Sequence, residues 1–284
     1  MPSPLTSWTL DPAALLALLA LGSMYERRTR TLAERGAPVP RWRRASFRAG
    51  LLVLAFASFS PVHALGEETF QFMHMAQHIL IGEVAAFLLV LGLTGPILRP
   101  LLAVRAVERL RSLAHPLVAW PLWALNLYLW HLPTLYEAAL AHAPVHALMH
   151  ILFLVAGALF WAPVLEPLPA PAWFGSAAKL FYVVAARLAG MVLANVLFWA
   201  ERPFYRPYVH AGSPWGISPL ADQGIAASIM MVFDGVVTMA AIAWLFLRLA
   251  SEGELRQALI EQGVDPATAS RAVRYGRGHE LARR

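Results

Sequence analysis

Long apolar runs separated by shorter polar segments dominate this chain. A membrane-spanning helix needs about 20 consecutive, predominantly apolar residues. Seven runs approach that requirement; they are Pro12–Met24, Phe47–Ala64, Phe72–Leu93, Pro116–Ala138, Pro144–Val164, Lys179–Trp199 and Gln223–Leu249. The first run is short, but Trp8 and Tyr25 flank it, and both residue types favour the headgroup level. The pattern predicts an all-α, polytopic membrane bundle of seven transmembrane helices.

Composition agrees with a membrane protein and restricts its metal chemistry. Hydrophobic residues make up 58% of the 284 residues and charged residues only 14%, whereas a soluble domain carries roughly 25% charged residues. The chain has no cysteine, which excludes disulfides and thiolate metal sites. Any metal ligand must therefore be a His, Met, Asp or Glu side chain.

The positions of the arginines predict the orientation in the membrane. Two predicted loops are rich in arginine. The loop between the first and second spans contains Arg27, Arg28, Arg30, Arg35, Arg41, Arg43 and Arg44, and the loop between the third and fourth spans contains Arg99, Arg105, Arg109 and Arg111. The intervening loop Ser60–Gln71 contains no Lys or Arg. Because basic loops stay in the cytoplasm, we expect the N-terminus outside and the C-terminus in the cytoplasm. The net charge of +6 is thus explained by topology rather than by nucleic-acid binding.

The two ends of the chain carry separate expectations. Basic residues follow the first apolar run, whereas they precede the apolar region of a secretory signal, so we expect a retained helix there. At the other end the chain becomes polar. We predict that residues 1–250 form the seven-helix transmembrane domain and that residues 251–284 form a cytoplasmic tail, helical in part.

Eight of the ten histidines lie on or near the outer half of this predicted topology: His63, His74, His78, His131, His142, His146, His150 and His210. His74 and His78 are four residues apart on one predicted helix, and His146 and His150 on another, so each pair shares a helical face. At 1.5 Å rise per residue, His78, His131 and His150 all lie roughly 9–10 Å from the outer end of their helices.

Two facing pairs would supply three or four ring nitrogens to a metal ion, with His131 nearby. Methionines flank them at Met73, Met75 and Met149. Imidazole and thioether without thiolate suit copper, although zinc also accepts histidine. The alternative is structural, because histidines near a membrane interface also bridge helices and methionine is a common packing residue.

Four acidic or basic residues extend the list of candidates. Glu83, Arg187 and Asp234 lie deeper in their predicted spans, where an isolated charge is costly, so they form either a buried ion-pair network or a proton or ion relay. Asp222 stands at the outer start of the last span, either as an N-cap or as an acidic ligand at the mouth of the histidine cluster.

The same motifs resemble one known family. They are, in order, Phe72-Met73-His74-Met75-Ala76-Gln77-His78, Trp130-His131-Leu132-Pro133, His146-Ala147-Leu148-Met149-His150, Phe160-Trp161-Ala162-Pro163 and Asp222-Gln223. This series, spread over Phe47 to Leu249, is similar to the membrane cytochrome c oxidase assembly factor family called CtaG in Gram-positive bacteria, which is distinct from the periplasmic copper chaperone of the same name.

The resemblance implies a non-enzymatic, multi-pass protein of the bacterial plasma membrane that helps to make haem–copper oxidase by handling copper. Its expected partners are the lipid bilayer and oxidase subunits or a copper chaperone, with no nucleic acid. The implied metal ligands are His74, His78, His131, His146, His150 and Asp222.

Departures from the family pattern leave other functions open. The segment after His78 lacks the prolines expected in that helix and contains Glu83, and Met231 replaces a common aromatic residue. These differences suggest copper uptake or supply to another copper protein. A haem-binding membrane protein with paired histidines as axial ligands and a copper or proton-coupled transporter are the alternatives. A metal-dependent membrane enzyme has the least support, because no further acid–base or nucleophile constellation is present.

Overall fold

The computed structural model describes residues 7–105, 111–211, 215–274 and 276–281, and within these ranges every regular element is helical. Arg109, counted above in a basic loop, lies outside them. The helices are α1 (Pro12–Glu34), α2 (Arg41–Phe59), α3 (Pro61–Glu68), α4 (Gln71–Gly92), α5 (Gly95–Leu102), α6 (Pro116–Trp130), α7 (Pro133–Ala141), α8 (Ala143–Leu165), α9 (Ser176–Phe198), α10 (Arg206–His210), α11 (Pro219–Glu261), α12 (Pro266–Arg274) and α13 (Gly278–Leu281).

The chain divides into two compact units. The first comprises the chain up to Ala170 together with Ala189–Phe233, and the second comprises Pro171–Leu188 and the chain from Asp234 onward. All the histidines singled out as metal ligands belong to the first unit.

Four helices of the described ranges are long and apolar enough to cross a membrane: α4, α8, α9 and α11. A fifth span results if α2 and α3, which meet at a 44° bend, are taken together. The bend follows from Ser60-Pro61, because Pro61 lacks an N–H while the Ser60 hydroxyl accepts a hydrogen bond from the Val62 N–H and starts a new helix.

Two predicted spans differ in the structure. Helix α1 carries charged residues from Glu26 onward, so it is less apolar than a typical span. The predicted span Pro116–Ala138 is interrupted, because α6 ends at Trp130 and α7 begins at Pro133. The residue before a proline avoids the helical region, and Leu132 is extended with φ −67° and ψ 129°.

Helix α11 extends beyond the predicted last span on both sides. It runs for 43 residues from Pro219 to Glu261, so the predicted domain boundary at residue 250 falls inside a continuous helix. Helices α12 and α13 follow it in the described part of the tail.

The second unit contains a buried ion pair. Arg187 Nη1 lies 2.8 Å from Asp234 Oδ1, and both side chains are nearly inaccessible. Because a single buried charge costs several kcal/mol, pairing is the arrangement expected at membrane depth. The expected pairing of a carboxylate with the guanidinium is thus found at Arg187 and Asp234, while the choice between an ion-pair network and a relay stays a prediction.

A wide turn interrupts the regular helix in the middle of α4. Residues Leu80–Ala85 form a π-helical turn, and Glu83 within it accepts a hydrogen bond of 3.3 Å from Trp123 Nε1. Helix α8 crosses α4 at this turn, where a Cβ added to Gly157 would overlap the carbonyl oxygen of Gly82. The absence of a side chain at Gly157 thus allows α4 and α8 to approach closely, next to their histidine pairs.

Candidate metal centre

Helix α4 presents two buried histidines on one face. His74 and His78 lie one turn apart with ring centroids separated by 4.2 Å, and their exposed fractions are 0% and 4%. Tyr136 lies against the His74 ring at 5.0 Å and Phe153 against the His78 ring at 4.5 Å. Both imidazoles are therefore enclosed by aromatic side chains.

Helix α8 presents the second pair opposite the first. The ring centroids of His146 and His150 are 4.3 Å apart. The ring of His146 stacks on that of His74 at 5.3 Å, and the ring of His150 lies 5.5 Å from that of His78. The two pairs therefore face each other in the structure, an arrangement that the spacing along the sequence leaves open.

Three of these histidines can hold a metal ion. His74, His78 and His146 each offer a ring nitrogen, and the three nitrogens lie within 4.8 Å of one another. Buried nitrogens without a hydrogen-bond partner include both nitrogens of His78 and Nε2 of His146 and His150. Burying a polar atom without a hydrogen-bond partner costs free energy. One metal ion coordinated by several of these nitrogens would offset that cost for each of them.

The neighbouring methionines behave as packing residues. Met75 packs in an apolar cluster with Tyr136 and Leu193. Met149 packs in another with Trp130 and Phe153. The candidate metal ligands of the cluster are therefore the histidine nitrogens rather than the methionine sulfurs.

His131 lies beside the cluster rather than within its three-nitrogen group. Its Nδ1 is 2.7 Å from the Leu127 carbonyl oxygen, which can only accept, so Nδ1 carries the proton. Its Nε2 is buried, has no hydrogen-bond partner and is free to coordinate. The ring is 6.4 Å from that of Tyr136 and 6.5 Å from that of Phe153, the two aromatic residues that also contact His74 and His78.

Asp222 contacts the helix that carries His74 and His78. Its two carboxylate oxygens accept hydrogen bonds from the N–H groups of Gln71 at 2.8 Å and Phe72 at 3.0 Å. The sequence left open an N-cap of its own helix, but α11 begins at Pro219 and Ser218 accepts from the Ala221 N–H. Asp222 thus caps α4 from a neighbouring helix, where its negative charge also favours the helix N-terminus.

We expect Asp222→Asn to destabilise the protein without removing a metal ligand. Asparagine keeps one acceptor oxygen and loses the second oxygen and the charge, which costs about 1–2 kcal/mol of unfolding free energy. Thermal unfolding in detergent and metal analysis would test this, with Asp265→Asn, which alters the exposed cap of α12, as the control. Unchanged unfolding together with lost metal would instead identify Asp222 as a ligand.

Two residues of the cluster were not predicted as site residues. His63 and Glu67, on α3, lie next to the second pair: His63 Nε2 is 3.6 Å from Glu67 Oε1, and the same oxygen contacts His146 Nδ1. His63 is one of the eight outer histidines of the predicted topology but is not a predicted ligand, and Glu67 is not predicted to belong to the site. Their spacing of four residues, which places both on one helical face, was the available signal.

Tyrosines hold the backbone around the histidines. Tyr205 donates a hydrogen bond of 2.9 Å to the His131 carbonyl, and its ring stacks on that of Tyr136 at 3.8 Å. Tyr208 donates a hydrogen bond of 2.7 Å to the Gly66 carbonyl, near the end of α3. These contacts connect α10 with the segments that position His131 and His74.

Comparisons with known proteins agree with the motifs. A family model described as cytochrome c oxidase caa3 assembly factor (Caa3_CtaG) matches residues 23–252, which confirms the resemblance found in the sequence.

Curated relatives include uncharacterised proteins of Mycobacterium bovis and Mycobacterium tuberculosis, each 29% identical over 268 residues and matched over 82% of this chain. A Mycobacterium leprae protein is 25% identical over 246 residues, which cover 79% of this chain. The chain spans 39%, 39% and 36% of the lengths of these three proteins, respectively. No solved structure matches the chain.

Proposed function

Because the chain belongs to the cytochrome c oxidase caa3 assembly factor family, we propose that it is a membrane assembly factor that binds copper at its histidine cluster and delivers it to a haem–copper oxidase. Copper is the cargo in this proposal. The protein acts without catalysing a reaction, in the plasma membrane of a bacterium, and its partners are oxidase subunits or a copper chaperone.

The observation that carries the proposal is the group of buried imidazoles with unpartnered nitrogens. The ion would be held by His74, His78 and His146. A fourth ligand would be His150, whose ring lies next to those of His146 and His78. Imidazole ligands suit copper. His131 offers a further nitrogen near Tyr136 and Phe153, and Asp222 acts on the site through α4.

The ring arrangement favours a small ion over haem. His74 and His146 stack face to face, with planes only 11° apart, whereas two axial ligands of a haem point at the iron from opposite sides of the porphyrin. One ion bound by neighbouring ring edges needs no space for a porphyrin.

The proposed topology retains seven spans, with the N-terminus outside and the C-terminus in the cytoplasm. In this arrangement α1 is the first span, α2 with α3 the second, and the broken pair α6–α7 the fourth. Residues 1–250 form the transmembrane domain, and residues 251–284 form the cytoplasmic tail. The histidine cluster then opens toward the outer side, where copper would be passed on.

A deletion strain tests the proposed function. Without the gene, the oxidase should retain haem but lack most of its copper and activity, and a plasmid copy of the wild-type gene should restore both. Metal analysis of the purified oxidase measures this directly. A copy with His78→Ala should fail to restore copper, whereas one with His142→Ala should succeed, because His142 is exposed. Full copper content in the deletion strain would exclude the proposal.

A further inference from the structure

We propose a second, outer cation position formed by His63, Glu67 and His146. It takes a divalent ion such as Zn²⁺ or Cu²⁺ before copper reaches the inner group, which consists of His74, His78 and His146. This inference rests on the proposed function and deepens it. Its ligands come from α3 and from the start of α8.

One carboxylate oxygen lies between two imidazoles at this position. Glu67 Oε1 is 3.6 Å from His63 Nε2 and contacts His146 Nδ1. The amide of Gln77 donates to His63 Nδ1 at 3.0 Å and to the Ala57 carbonyl at 2.9 Å. Since His63 Nδ1 accepts, its Nε2 carries the proton and is directed toward Glu67. For a metal ion to bind here, the Nε2 proton of His63 must move to Nδ1, with the Gln77 amide turned so that its oxygen accepts it, and Nδ1 of His146 must lose its proton.

His146 belongs to both positions through different nitrogens. Its Nδ1 contacts Glu67, while its buried Nε2 has no hydrogen-bond partner. One ring therefore offers one nitrogen to the outer position and the other to the inner group. When both positions are filled, His146 bridges them as an imidazolate, and its Nδ1 proton is released to solvent. An ion can pass from one side of His146 to the other without leaving the cluster.

The donor sets of the two positions differ in chemistry. Two imidazoles and one carboxylate are a donor set found in zinc sites, and a charged oxygen ligand favours a divalent ion. The inner group consists of imidazoles only. Glu67 is the one carboxylate that contacts these histidines among the described residues, so it supplies the charge that offsets a divalent ion.

Exposure decreases from the outer position to the inner one. The side chain of Glu67 is 35% exposed, that of His63 23% and that of His146 6%, whereas His74 is fully buried. An ion from solvent therefore meets the carboxylate first. This order agrees with a capture position in front of a storage position.

Sequential metal loading of the purified full-length protein tests the inference. The protein is first given one equivalent of Cu⁺ under reducing conditions and then titrated with Zn²⁺, and both metals are quantified. Wild type should bind one Zn²⁺ per chain in addition to copper. Glu67→Gln and His63→Ala should lose that zinc while retaining copper, and Glu68→Gln, the same change at an exposed neighbour, should keep both.

The outcomes separate the two proposals. If zinc does not bind, or binds equally to Glu67→Gln and Glu68→Gln, the outer position does not exist and the copper proposal stands. If wild type binds no copper, the proposed function fails, and the zinc titration then decides the outer position by itself. Thermal unfolding of each variant shows whether it is folded, and His63→Ala repeats the test if Glu67→Gln is not.

Discussion

Replacement of His78 by alanine is expected to lower the affinity for copper by about 100-fold or more. Mutation of a residue that only orients a metal ligand typically costs 10–100-fold, so loss of a ligand should cost at least the upper end of that range. His78 is one of three histidines whose nitrogens lie within 4.8 Å of one another. Competition with a copper chelator of known affinity would measure the change in the purified protein.

His142→Ala is the matched control for this measurement. His142 is exposed, precedes the helix that carries His146 and His150, and makes no side-chain capping hydrogen bond. The variant removes the same imidazole from the same side of the protein and should bind copper like wild type. Equal affinity of His78→Ala and His142→Ala would show that the buried cluster does not bind copper.

Gly157→Ala is expected to destabilise the protein by about 2–3 kcal/mol, the upper part of the range for overpacked sites. The added methyl group would overlap the Gly82 carbonyl oxygen and press on the Cβ of Ala86 at 3.0 Å. Because backbone atoms cannot rotate away, α4 and α8 must separate. His78 precedes the π-helical turn on α4, so we also expect weaker copper binding.

Gly224→Ala serves as the control for steric overlap. Gly224 is also inside a long helix of the first unit, but a Cβ there would meet no atom within 4 Å. Its unfolding free energy should stay within about 1 kcal/mol of wild type, since alanine is the better helix former. Thermal or denaturant unfolding in detergent compares the two variants. Equal stability would contradict close packing at Gly157.

Part of the site could be predicted from local spacing. His74 and His78, like His146 and His150, are separated by four residues, and one helical turn is enough to align each pair. Their expected depth in the membrane is calculated from the rise per residue and stays a prediction. Rotation of α4 relative to α8 does not follow from spacing, because it depends on which side chains let the helices approach.

Glu67 and Asp222 show what spacing cannot reveal. Glu67 meets His146 from α3, which is turned by 44° from α2 at the break Ser60-Pro61. Asp222 is 151 residues from Gln71 along the chain, yet its carboxylate caps α4. Either contact depends on helices that are distant in sequence, so no local pattern predicts the partner.

The sequence by itself determined the helical class, the apolar runs, the family and the two histidine pairs. These properties depend on the composition and the periodicity of a few helical turns, which act locally. The tertiary structure alone decided that the pairs face each other, that His131 lies near Tyr136 and Phe153, and that His63 and Glu67 adjoin the cluster. Such distances depend on how bends, glycine contacts and buried hydrogen bonds set the helices against one another.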